Sequence, residues 1–110
     1  MMELSQIQSV KVGPFRYSVL SAPEAVQAMC EEEKTFGYAG LTYHEKLRIT
    51  VDATRARQKV QETLVHEIIH AAVVTGDLEG QLTNKEHVVE VLAPLLLGVI
   101  QENPQVMAYL

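Results

Sequence analysis

Cysteine occurs once in this chain, at Cys30, so no disulfide can close within it. That scarcity fits a reducing compartment, and a cytoplasmic location is the expectation. Basic charge is also short. Nine Lys and Arg stand against fourteen Asp and Glu, a formal net charge of −5. Such a balance offers no surface for phosphate, so nucleic acid is not expected as a partner. The opening Met1-Met2-Glu3-Leu4 lacks the basic-then-apolar order of a secretory leader. The longest apolar run, in the last third, contains Pro94 and Gly98 and is too short to span a bilayer, so no membrane is expected either. No repeat, low-complexity stretch or linker divides the 110 residues. They suffice for one domain, 1–110, with a modest core.

What is present reads as α+β. Ile7–Val12 and Phe15–Leu20 alternate apolar and polar residues around Gly13-Pro14, which predicts a β-hairpin. Ser21-Ala22-Pro23-Glu24 has the form of a helix start with a capping box, and Ala25, Val26, Ala28, Met29 and Cys30 supply an apolar side. Glu31-Glu32-Glu33 reads as the solvated, frayed end of that helix. Gly37 and Gly40 bracket the approach to an extended stretch, Leu41–His44. Glu45-Lys46 turns the chain, and Leu47, Ile49 and Val51 alternate with Arg48 and Thr50 as a half-buried strand. Two hairpins make an antiparallel sheet of about four strands. Asp52 and Thr54 are candidate caps for a helix from about Arg55 to Thr75, with Gly76 as a left-handed stop. After a polar loop from Asp77 to Thr83, Asn84 is placed to cap a long helix over about Lys85–Glu102. Pro94 should bend or split that helix. Val106, Met107, Tyr109 and Leu110 in the tail are expected to dock on the body.

Within Glu62–Gly76 lies His66-Glu67-Ile68-Ile69-His70, an H-E-x-x-H pattern. Residues four apart on a helix share a face, so His66 and His70 can aim two imidazoles at one point. Neutral imidazoles are good zinc ligands. Glu67 follows the first ligand and can reach toward the metal without binding it, placed as general base for a metal-bound water. Leu64, Val65, Ile68, Ile69, Ala71, Ala72, Val73 and Val74 surround the histidines, as in a core helix. The plain alternative is two hydrogen-bonded, inert histidines on such a helix.

A catalytic zinc takes three protein ligands and keeps one position open. No histidine follows within ten residues of His70. The third ligand must then come from the next helix, where Glu86 is the first choice and Glu90 the alternate, with His87 and Glu79 behind them. An inward acid without a partner is costly to bury, and a metal removes that cost.

These residues resemble the small phage- and prophage-encoded zinc-peptidase-like proteins, distantly akin to ImmA/IrrE-type metallopeptidases. The resemblance is carried by the strand Leu47–Val51, by the run Glu62 to Ala71, and by Glu86, Val89, Leu92 to Leu96 and Asn103-Pro104. It covers roughly the C-terminal two-thirds of the chain. It implies a gluzincin-like, minimal zincin core: a small sheet, a buried motif helix, a preceding helix and a long C-terminal helix. It also implies Zn2+ as cofactor, His66, His70 and Glu86 as ligands, and Glu67 as catalytic acid/base. The expected activity is hydrolysis of a peptide or protein substrate. Such a substrate could lie as an added strand along a sheet edge near Tyr38–His44, with Tyr43 or His44 beside the oxyanion. Two other readings remain. One is a non-catalytic, zinc-stabilised binding module. The other is a metal-free protein that dimerises through its Leu- and Val-rich last helix.

Overall fold

In the computed structural model, residues 3–21, 27, 39–76 and 83–110 are described. The helix expected after Ser21 and most of the Asp77–Thr83 loop, Cys30 and Glu79 included, lie outside them. The first hairpin pairs β1 (Ser9–Val12) with β2 (Phe15–Leu20) antiparallel, Val12 opposite Phe15. Its turn needs Gly13, whose φ is +57°, a conformation glycine adopts without steric cost. A side chain there would also meet Thr75, since an added Cβ would lie 2.9 Å from Thr75 Cγ2. The second hairpin pairs β3 (Gly40–Tyr43) with β4 (Arg48–Val51) antiparallel, through a 3-10 turn at His44–Lys46.

Among the described residues four strands are present and the class is α+β, but the sheet is mixed rather than antiparallel throughout. Its order is β1-β2-β4-β3, with β2 and β4 parallel. After β2 the chain re-enters the sheet at the far edge as β3. The His44–Lys46 turn then returns β4 between β3 and β2, running alongside β2. Alternation within each hairpin says nothing about which strands of the two hairpins meet.

Three helices follow: α1 (Arg57–Thr75), α2 (Lys85–Glu102) and α3 (Pro104–Tyr109). One face of the sheet packs on α1, and Tyr17, Ile49, Val51, Val60 and Ala71 form the buried core. Leu4, Val10, Val12, Leu47, Leu64 and Ile68 close around it. On α2, Val89 and Ala93 are fully buried. The motif helix is not apolar contact all round. Val60, Thr63, Glu67, Ala71 and Val73 are buried, while Val65, His66, Ile69, His70 and Val74 are half-buried and Ala72 is exposed.

Several ends differ from expectation. Asp52 does not cap α1. Its Oδ1 accepts from the Thr54 N–H at 3.1 Å and the Thr54 hydroxyl at 2.6 Å, a local turn that competes with helix. The helix therefore begins at Arg57, with Ala56 at its cap. Gly76 ends α1 at φ −81°, not in the left-handed region. Its N–H donates to the carbonyls of Ala72 and Val74. Asn84 is left-handed at φ 56° and makes no side-chain cap. Helix α2 runs through Pro94 unbroken. Pro94 and Glu90 are both exposed, so the lost hydrogen bond falls on the solvent side, where water can replace it. The tail does not dock as a whole: Tyr109 and Leu110 are 89% and 88% exposed. No helix among the described residues is long and apolar enough to cross a membrane.

Candidate metal centre

His66 and His70 stand one turn apart on α1, each roughly four-fifths buried, with Nε2 atoms 3.1 Å from one another. Two ring nitrogens at that distance need a proton or a cation between their lone pairs. Glu86, in the first turn of α2, reaches across to both. Its Oε1 is 2.9 Å from His66 Nε2 and its Oε2 is 2.9 Å from His70 Nε2. A carboxylate in a first turn is also favoured by the helix dipole.

The donor set fits a metal ion. Zinc bonds of about 2.0–2.1 Å in a tetrahedron separate neighbouring donors by roughly 3.3 Å. The donor separations of 2.9–3.1 Å approach that figure, and one donor atom from each residue lies within 4.8 Å of the others. The same separations also suit hydrogen bonds between imidazole N–H groups and a carboxylate. Burial lowers the pKa of His70 despite the opposing pull of Glu86, which favours the neutral, ligating ring.

Glu67 points from the same helix toward the sheet and is 6% exposed. The Thr42 hydroxyl, from β3, lies 2.8 Å from Glu67 Oε1 and 2.9 Å from the Glu67 carbonyl oxygen. Burial pushes the Glu67 carboxyl above the usual range. Thr42 and His66 oppose that rise, and the Glu86 charge adds to it. A shallow cleft of about 180 Å³ opens alongside, lined by Ala39, Gly40, Thr63, His66, Glu67 and Glu86 among others. Comparison with protein-family models, with curated proteins and with solved structures gives no match.

The remaining candidates are placed elsewhere. Glu90 lines the cleft one turn beyond Glu86 but is not in the donor cluster. His87 is exposed and outside that cluster. Neither Tyr43 nor His44 lines the cleft. His44 Nδ1 is hydrogen-bonded to the buried Tyr17 hydroxyl, and its ring meets the Phe15 ring edge-on at 5.6 Å. Lys46 Nζ lies 5.1 Å from the centre of the Tyr43 ring. Sequence reasoning missed Thr42 and Gly40. Period-two alternation puts both on the strand face turned toward α1, the one signal available for them.

Proposed function

We propose that this chain is a zinc-dependent metallopeptidase of the kind its motif resembles, with His66, His70 and Glu86 holding the ion. The observation that carries the reading is the Glu86 carboxylate bridging both Nε2 atoms at 2.9 Å beside the buried Glu67. When bound, zinc supplies Lewis acidity that polarises a peptide carbonyl and acidifies water. Glu67 takes the proton of the attacking water and delivers it to the leaving amine. A carboxyl raised by burial is better matched to that task near neutral pH than an exposed one. Thr42 fixes the orientation of Glu67. The edge strand β3 begins at the cleft with Gly40, Ala39 just before it, and an extended substrate adds to that edge by main-chain hydrogen bonds. A cytoplasmic setting belongs to the same proposal, supported by the single cysteine.

The alternative of a structural zinc staple between α1 and α2 uses the same ligands. Three donors are the number that a catalytic zinc takes from its protein, and the buried Glu67 beside them supports catalysis over the staple. The test is metal analysis of protein purified without a histidine tag, followed by cleavage assays on unfolded protein substrates. The expected result is one zinc per chain and cleavage that disappears in Glu67→Gln while zinc stays. Absence of bound zinc, or undiminished cleavage by Glu67→Gln, would overturn the proposal.

A further inference from the structure

The cleft beside the donor cluster has a second end. Helices α1 and α2 run antiparallel, since His66 and His70 meet Glu86 while Gln61 meets Gln101. Glu62 comes four residues before His66, and Glu90 four residues after Glu86. In antiparallel helices those two steps run in the same direction. Both carboxylates therefore lie about one helical turn, ~5 Å, beyond the donors on the same side. The cleft follows that direction, because Lys59, Glu62 and Glu90 line it and His70 does not.

The charges at the two ends have different partners. Glu67 and Glu86 belong to the metal centre, and theirs are the charges a bound zinc offsets. Glu67 is 6% exposed and lines the cleft, its Oε1 held by Thr42 and its Oε2 without a hydrogen bond among the described residues. At the far end Lys59 Nζ lies 3.8 Å from Glu62 Oε1, so one cation answers one carboxylate. Glu90 is exposed and belongs to none of the ion pairs among the described residues. One negative charge is thus left over, a turn away from the ion. Strand β3 begins at the same cleft with Gly40. A peptide lying along β3 turns alternate side chains toward the helices. A cationic side chain placed there meets Glu90, and an acidic one is repelled by it.

We infer that Glu90 is a specificity residue, which selects peptides carrying Lys or Arg beside the bond to be cleaved. The cleavage rests on the peptidase proposal, and the choice of side chain rests on the cleft alone.

Three peptides that differ only in a central Lys, Ala or Glu test it. They are titrated into the 15N-labelled full chain, as metal-free wild type and as zinc-loaded Glu67→Gln, and the amide shifts of Ala39 and Gly40 are followed. At about 0.15 M salt the lysine peptide should bind about fivefold more tightly than the alanine peptide, and the glutamate peptide least tightly. Glu90→Gln should bring the lysine and alanine peptides within about twofold of each other. Lys59→Gln should widen the preference by about threefold, because Glu62 then also faces the ligand. Glu102→Gln removes the same charge twelve residues along α2, ~18 Å away and beyond the Debye length, and should leave the preference as in wild type.

No lysine preference in wild type overturns the inference, as does a preference that survives Glu90→Gln or falls equally in Glu102→Gln. So does the absence of any shift up to about 10 mM peptide. The titrations are read without cleavage, so the two proposals fail separately. A Glu90-dependent lysine preference in a chain that cuts no peptide supports the inference and refutes the peptidase. Zinc-dependent cleavage without the preference does the reverse.

Discussion

The Thr42 hydroxyl stands 2.8 Å from Glu67 Oε1, tying the edge strand to the motif helix through its buried carboxylate. Glu67 is the buried acid among the described residues, so its hydrogen bonding matters more than that of an exposed one. Thr42→Val keeps the shape and removes the donor. The expected loss is about 1–3 kcal/mol in denaturant unfolding of the metal-free protein. Thr42→Ser, which keeps the hydroxyl, should recover more than half of it. Equal losses in both variants would mean that packing, not the hydrogen bond, is what Thr42 provides.

The same carboxylate predicts a pH dependence. Burial raises the folded-state pKa of Glu67 above the ordinary 4.5. Between 4.5 and the raised value the folded chain holds more protons than the unfolded one. The contribution of Glu67 to stability is therefore complete below 4.5 and is lost as the pH rises through the folded value. Glu67→Gln has no such loss and still accepts from Thr42. In metal-free protein, Glu67→Gln should melt higher than wild type at pH 8, and the gap should close as the pH falls to about 4. A gap that widens on acidification would contradict the sign.

Glu86 and Glu90 lie one turn apart on α2, but Glu86 joins His66 and His70 while Glu90 lines the cleft. Under the zinc proposal the two are not equivalent. Glu86→Gln should weaken zinc binding by about a hundredfold or more, ~2.7 kcal/mol. Glu90→Gln should change it by about threefold at most, by competition against a chromophoric chelator. Equal losses would make the two acids interchangeable and remove the special place given to Glu86.

How much of this could be read from the residues depends on range. The four-residue spacing of His66 and His70 is local, and helix geometry alone puts both rings on one face. Alternation across Phe15–Leu20 and Arg48–Val51 is likewise local, and both hairpins follow from it. The parallel join of β2 to β4 spans the 27 residues between Leu20 and Arg48 and leaves no periodic trace. Thr42 was illegible for a related reason. A hydroxyl in a strand gains its partner only when the sheet meets α1, whereas the aromatic neighbours Tyr43 and His44 draw attention by type and are occupied elsewhere. Tyr109 and Leu110 were expected to dock because they are apolar. Hydropathy records a gain from being covered, not what does the covering.

Gly40 sets how closely β3 can approach α1. A Cβ there would lie 2.7 Å from Thr63 Cγ2, 2.8 Å from the Thr50 carbonyl oxygen and 3.3 Å from Glu67 Cγ. The threonine methyl can rotate away; the carbonyl, held in the central strand, cannot. Gly40→Ala should therefore push β3 outward and cost about 1–3 kcal/mol, the usual range for overpacking. It should also disturb the Thr42–Glu67 hydrogen bond, since Thr42 lies two residues along the same strand. Adding Thr63→Ser removes one of the three contacts and should recover only part of the loss. Gly98 is the control. It lies inside α2, and an added Cβ there meets nothing within 4 Å. Gly98→Ala should thus raise stability by about 0.5–1 kcal/mol, the helix-propensity difference. Opposite signs for the two substitutions in urea titrations are the expected result. A neutral Gly40→Ala would show that the edge strand has room to spare beside the motif helix.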